Sequence, residues 1–198
     1  MGHSIAEVYF LSTNKGKIEE TTQILSGFGI NSEPVSDKIE ELQTDKLELI
    51  VTDKLKKAFI RVGRPIIVEH TGMEIESLNG FPGGLTQVFW KRITNDDKDK
   101  RIFTSLFGRG NSSAVIRSVI GYCDCREIFL FEGKISGKIS DEPRGSDGFQ
   151  WDSVFIPDGL KVTFAEMGRL EKNKISMRFH ALKKFADHFN GKKHGKGS

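Results

Sequence analysis

Three polar segments of this 198-residue chain carry residues whose types and spacing suit chemistry on phosphates and flat rings. The first is Ser12-Thr13-Asn14-Lys15-Gly16-Lys17, between an apolar stretch and a run of helical spacing. A turn that opens a helix presents free backbone N–H groups and the positive end of the helix dipole, which favour phosphate. Lys15 and Lys17 add charge. The second spans residues 143–152 and reads Pro-Arg-Gly-Ser-Asp-Gly-Phe-Gln-Trp-Asp. Phe149 and Trp151 stand two apart, so on a strand they share a face and can stack on a ring. Asp152 follows with a carboxylate. The third, Glu171-Lys172-Asn173-Lys174-Ile175-Ser176-Met177-Arg178, offers cations, an amide and a hydroxyl near another helix start. Taken singly, each has a plainer reading: a solvated helix start, a pair of core aromatics, an ordinary cap.

Bringing these segments together requires a sheet with helices packed on it. Glu7–Ser12 reads as a buried strand. Ile18, Thr22 and Leu25 mark a helix over Lys15–Phe28, stopped by Gly27 and Gly29. Leu47, Val51, Leu55, Ala58 and Phe59 mark a second helix, ended near Gly63-Arg64-Pro65. Pro65–Glu69 and Met73–Leu78 read as two strands, Asn79–Gly84 as a loop, and Asp96–Phe107 as an amphipathic helix. Ala114–Cys123, Glu127–Glu132 and Lys134–Ile139 read as an antiparallel meander. Glu171–Phe189 reads as one long helix with Ile175, Leu182, Phe185 and Phe189 along a face. Helices at both ends with mixed strands between them predict an α/β or α+β domain.

Composition narrows the function classes. Hydrophobic residues are 37% and charged residues 29%, which fits a globular domain and excludes collagen, fibres and wholesale disorder. No apolar run approaches the ~20 residues of a membrane span, and Met1–Tyr9 lacks the basic-then-apolar pattern of a secretory signal. The formal net charge of +3 is matched by Lys192, Lys193 and Lys196 in the acid-free segment 190–198, leaving a neutral body. That distribution argues against a nucleic-acid patch and predicts one domain over residues 1–190 with a flexible basic tail over 191–198. Cys123 and Cys125 have no partners at zinc spacing, and two free thiols suit a reducing cytoplasm.

In their order along the chain, the motifs resemble the inosine triphosphate pyrophosphatase family from Phe10 to Phe189. That family opens with a T/S-x-N-x-x-K turn, here the segment from Ser12 to Lys17. Its V-E-D-[ST] strand end is matched by Val68-Glu69-His70-Thr71, and its G-x-P-G loop by Gly80-Phe81-Pro82-Gly83. Its P-R-G and F-G-[WY]-D blocks are matched by Pro143-Arg144-Gly145 and Phe149-Gln150-Trp151-Asp152. T-[FY]-A-E-M/L is matched by Thr163-Phe164-Ala165-Glu166-Met167, and E-K-N-x-x-S-H-R by Glu171 to Arg178. The resemblance implies an α/β fold: an elongated mixed β-sheet flanked by helices. It implies that Thr13, Asn14, Lys15 and Lys172 hold a triphosphate and that Phe149 and Trp151 flank a purine. Asp152, Ser176, Met177 and Arg178 would meet the base. Glu69 and His70 fall at the catalytic strand end. Glu41, in Glu40-Glu41-Leu42-Gln43, matches the family's magnesium-binding glutamate, and a homodimer is implied.

Several positions depart from the family pattern. His70 stands where the family has an aspartate that supports the metal-bound water, and magnesium prefers oxygen ligands to imidazole. Magnesium binding is therefore expected to be weak. Met177 replaces a histidine and cannot donate to a purine edge, though it can pack on the ring. Gln150 replaces the glycine between the aromatics, and Ser153 a proline. Nucleotide contacts kept while the catalytic position changes lead to the expectation of a sensor. Such a protein would bind ITP, dITP or XTP, hydrolyse them poorly and act as a regulatory subunit on a protein partner. The alternative is an active pyrophosphatase, with His70 as substitute base, releasing monophosphate and pyrophosphate. Neither reading involves nucleic acid or membrane, and both place the protein in the cytoplasm.

Overall fold

The computed structural model describes residues 7–146 and 150–194. The chain begins with β1 (Val8–Leu11), α1 (Lys15–Gly27), β2 (Ser32–Val35), α2 (Leu47–Val62) and β3 (Ile66–Ile75). A 3-10 turn at Glu76–Leu78 leads to β4 (Pro82–Gly83), α3 (Thr86–Ile93) and α4 (Lys100–Phe107). The long strands β5 (Ser113–Cys123) and β6 (Ile128–Ile139) follow, then a 3-10 turn at Gln150–Ser153 and β7 (Phe155–Pro157). The chain closes with α5 (Phe164–Met167), α6 (Arg169–Ile175) and α7 (Met177–His194).

The strands form one mixed sheet in the order β2-β1-β3-β5-β6-β7, with β4 on β3. β1 runs parallel to β2 and β3, whereas β3, β5, β6 and β7 pair antiparallel. This is the mixed sheet flanked by helices that the sequence implies. Its length comes from continuous ladders, which pair Ile66 through Ile75 with Cys123 through Ala114. Two of the predicted breaks are therefore absent. Pro65–Glu69 and Met73–Leu78 belong largely to one strand, β3, with a 3-10 turn at its end, and β6 runs straight through Gly133. Gly133 does not break the strand. It admits α7, because a Cβ there would lie 2.0 Å from the Met177 carbonyl oxygen.

Apolar faces explain the helix positions. Leu47, Val51, Leu55 and Ala58 of α2 pack on Val68 and Val119 at one face of the sheet. Ala181, Leu182 and Phe185 of α7 pack with Val8, Phe10, Ile67 and Ile120 on the other. Successive strand residues point to opposite faces, so Ile67 and Val68 serve different cores. The predicted Glu171–Phe189 helix is two helices, because Ser176 is extended (φ −68°, ψ 157°) between α6 and α7. α7 also continues through Gly191 to His194, so residues 191–194, expected in a tail, are helical. Residues 195–198 lie outside the described residues. Among the described residues, no helix is long and apolar enough to cross a membrane.

Candidate active site

β1 ends at Leu11, and the chain turns through Ser12, Thr13 and Asn14 into α1. Asn14 caps that helix: its Oδ1 accepts from the Lys17 N–H at 3.1 Å, and its own N–H donates to Ser12 Oγ at 3.2 Å. The turn forms one wall of a cavity of about 530 Å³. Opposite stand Glu41 from the β2–α2 loop, Lys54 from α2, His70 from β3 and Gln150 from the second 3-10 turn. Lys54 lies four residues after Ile50 and three after Val51, both buried, so it shares their inward face. Its Nζ donates to Glu41 Oε1 at 2.6 Å. Burial pushes the Glu41 carboxyl up, but Lys54 outweighs burial and holds it below its ordinary range.

His70 lies near the middle of β3, facing α2. Its Nε2 is 2.9 Å from the Gly84 carbonyl oxygen. A carbonyl can only accept, so Nε2 carries the hydrogen and Nδ1 presents a lone pair. Nδ1 is 3.9 Å from Glu41 Oε2. Burial, and then the charge of Lys17, lowers the His70 pKa, which keeps the ring neutral at pH 7. The G-x-P-G loop thus has a visible use: the residue that follows it, Gly84, orients the imidazole.

Glu69 faces the other side of β3 and does not line the cavity. Its Oε1 accepts from Thr71 Oγ1 at 2.6 Å, Ser118 Oγ at 2.7 Å and Arg178 Nε at 2.9 Å. Lys17 lies 3.4 Å from Oε2. Burial raises the Glu69 pKa, but Lys17 and the two hydroxyls reverse the shift and keep it ionised. As a catalytic candidate Glu69 is displaced by strand alternation, which points it into a charge cluster.

That cluster forms the floor of a second cavity, about 370 Å³ in volume, lined by Glu20, Trp151, Asp152, Phe164, Lys172, Met177 and Arg178. Cations and anions alternate through it. Lys17 meets Glu69, Glu69 meets Arg178, Arg178 meets Glu20, Glu20 meets Lys172 at 3.4 Å, and Lys172 meets Asp152 at 2.7 Å. The chain of six charges is neutral overall, and five of its members are fully buried. Burial pulls the Arg178 pKa down to about 10, so it remains charged at neutral pH. Lys17 and Trp151 line both cavities, so the two adjoin.

The sequence-predicted residues divide accordingly. Thr13, Asn14, Glu41 and His70 meet at the first cavity, and Asp152, Lys172, Met177 and Arg178 at the second, with Trp151 common to both. Lys15 does not reach either cavity: it is exposed on the outer side of the first turn of α1, and Lys17 points inward in its place. Lys172, expected on the triphosphate, sits instead with the aromatics, 5.6 Å from the Phe164 ring centre. Ser176 is a helix cap that accepts from the Phe179 N–H at 3.2 Å, and lines neither cavity. Phe149 lies outside the described residues. Lys54 and Glu20 were missed by sequence reasoning. Both were detectable as charged residues on the apolar faces of amphipathic helices. Parts of two motif blocks are scaffolding, although Phe164 of one of them lines the second cavity. Thr163 and Glu166 form a reciprocal capping box for α5, and Thr163 Oγ1 also donates to the Arg144 carbonyl at 2.9 Å.

No group of three or more histidine, cysteine or acidic residues among the described residues could hold a metal ion. Comparison with known proteins gives consistent matches. The Ham1 family model matches residues 8–188. A dITP/XTP pyrophosphatase of Methanopyrus kandleri is 41% identical over 183 residues, covering 91% of this chain and 95% of that protein. A dITP/XTP pyrophosphatase of Thermococcus kodakarensis is 38% identical over 90% of this chain and 94% of its own length. The solved structure of a HAM1 protein from Coxiella burnetii superposes with a TM-score of 0.78 at 26% identity, covering 94% of this chain and all of that one. The Staphylococcus aureus Ham1 protein shares the fold, with a TM-score of 0.74 at 22% identity, over 94% of this chain and all of that one.

Proposed function

The chain belongs to the Ham1 family, and from that premise we propose that it is a pyrophosphatase for deaminated purine nucleoside triphosphates. Water would attack the α-phosphorus of dITP or XTP, break its bond to the bridging oxygen, and release monophosphate and pyrophosphate. The observation that carries this reading is the adjoining pair of cavities. One offers Lys17, Lys54 and the start of α1 to a phosphate chain; the other offers Trp151, Phe164 and Met177 to a flat ring.

His70 supports hydrolysis over mere binding. With Nε2–H tied to Gly84, the bare Nδ1 stands beside Glu41 as an acceptor for the proton of the attacking water. The sensor expectation rested on the loss of a carboxylate at position 70. An imidazole with its tautomer fixed by the loop restores a base there, and relatives at 38–41% identity are pyrophosphatases. Active hydrolysis is therefore the better-supported reading.

Magnesium fits this donor set. Glu41 is ionised, and its Oε2 has no hydrogen bond to a described residue. Magnesium commonly takes one or two carboxylates and completes its shell with waters and substrate phosphates, so no all-protein cage is needed. Glu41 would hold it together with the triphosphate, and the bound ion would screen phosphate charge.

Base selection follows from the second cavity. Arg178 uses Nε and Nη1 on Glu69 and Glu20, which leaves Nη2 to donate to the 6-keto oxygen of hypoxanthine or xanthine. The amino group of adenine would place a donor against that donor and leave both buried and unpaired. Steady-state kinetics with dITP, XTP, dATP and dGTP test this. A kcat/KM for dITP at least ~100-fold above that for dATP is expected, and equal values for the two would refute the assignment.

A further inference from the structure

Gln150 combines a strained backbone with an amide that no described residue engages. Its φ is +47°, in the left-handed region that side-chain-bearing residues seldom occupy. Glycine, the residue at this place in the motif the chain resembles, would sit there without strain. Gln150 is also 8% exposed, and its carboxamide makes no hydrogen bond to any described residue. The amide keeps its solvent contact only at the cavity it lines, so a ligand entering there would strip that water and must supply a bond in return. Strained backbone combined with an unpartnered polar group is found where a ligand completes the bonding.

The surroundings identify that ligand. Gln150 opens the 3-10 turn that carries Trp151, and it faces the first cavity together with Asn14, Lys17, Lys54 and His70. Two lysines and a helix start call for an anion, and an anion takes donors. Of the two ends of the carboxamide, only Nε2 can donate. We propose that Gln150 is a substrate-binding residue whose Nε2 donates to a phosphoryl oxygen of the triphosphate. The proposal rests on the functional reading above for the identity of the substrate. Its physical content is narrower: a polyphosphate contact supplied by a residue that distorts its own backbone.

Calorimetric titration of the full chain with inorganic tripolyphosphate, beside thermal unfolding, tests it in wild type, Q150G and Q150E. Expected for Q150G is a Kd about tenfold weaker, together with a Tm about 2–4 °C higher from relief of the left-handed strain. Q150E should bind more weakly than Q150G, since a carboxylate repels phosphate and cannot donate. Wild-type affinity in Q150G, a lower Tm in Q150G, or no tripolyphosphate binding by the wild type would each overturn the proposal. Retained tripolyphosphate binding that follows the expected order, without dITP hydrolysis, would refute only the hydrolytic reading and leave the Gln150 contact standing.

Discussion

Two residues apart in sequence, Lys15 and Lys17 have different fates, and the difference is set by helix geometry. Asn14 caps α1 through the Lys17 N–H, which fixes the first turn and aims the Lys17 side chain inward, within 3.4 Å of Glu69. Burial lowers the Lys17 pKa, with Glu69 opposing, whereas Lys15 is solvated on the outside. K17A should raise KM for dITP or lower kcat/KM by about 100-fold, the scale of a lost charge-assisted bond. K15A should stay within about twofold of wild type, as surface substitutions usually do. Steady-state kinetics on the pair decide between them, and equal losses would restore the sequence-level assignment of Lys15. Much of the candidate site was legible at this scale, because Trp151, Asp152 and Arg178 stand in polar motif segments and line one cavity. What sequence could not supply was direction. Glu69 and His70 are neighbours in the chain, yet one enters a charge cluster and the other the cavity.

At the scale of elements, the alternating charges tie α1, β3, the 3-10 turn at Gln150, α6 and α7 into one unit. Glu69 is its junction, since it meets Lys17 from α1 and Arg178 from α7 while Ser118 of β5 donates to it. Removing one partner of a buried ion pair leaves the others uncompensated, a far larger penalty than the loss of a surface pair. E69Q should therefore lower the unfolding free energy by roughly 3–5 kcal/mol, read from the denaturant midpoint. A change below ~1 kcal/mol, the range of a surface pair, would show that the cluster contributes little. The elements themselves were partly legible. Helical spacing of apolar residues gave α1 and α2, a short apolar run gave β1, and β-branched runs gave β3 and β5. The short elements β2, α3 and β7 were missed, since Ser32-Glu33-Pro34-Val35 carries no strand pattern and is a strand only because β1 pairs with it. Gly133 and Ser176 misled in opposite directions. The glycine reflects packing against α7, and the serine is a cap hidden inside a helical pattern.

For the whole molecule, the sheet sets the site. β1 and β3 run parallel side by side, so the turn after Leu11 and the position of His70 fall near one another, and α2 and α7 clamp the two faces. Two adjoining cavities then meet at Lys17 and Trp151. One holds the start of α1, Lys54 and His70, while the other holds the charge array and the aromatics. We propose that this arrangement hydrolyses its nucleotide, with the lone pair on His70 Nδ1 receiving the proton. The most direct measurement is pyrophosphate release from dITP with magnesium, by wild type beside H70A. Expected is wild-type turnover on the order of 10 per second, with inosine monophosphate in its deoxy form and pyrophosphate in equal amounts. H70A should lose about 100-fold or more in kcat while KM changes little. Tight dITP binding by the wild type without pyrophosphate release, or an H70A variant that turns over as fast as wild type, would contradict it.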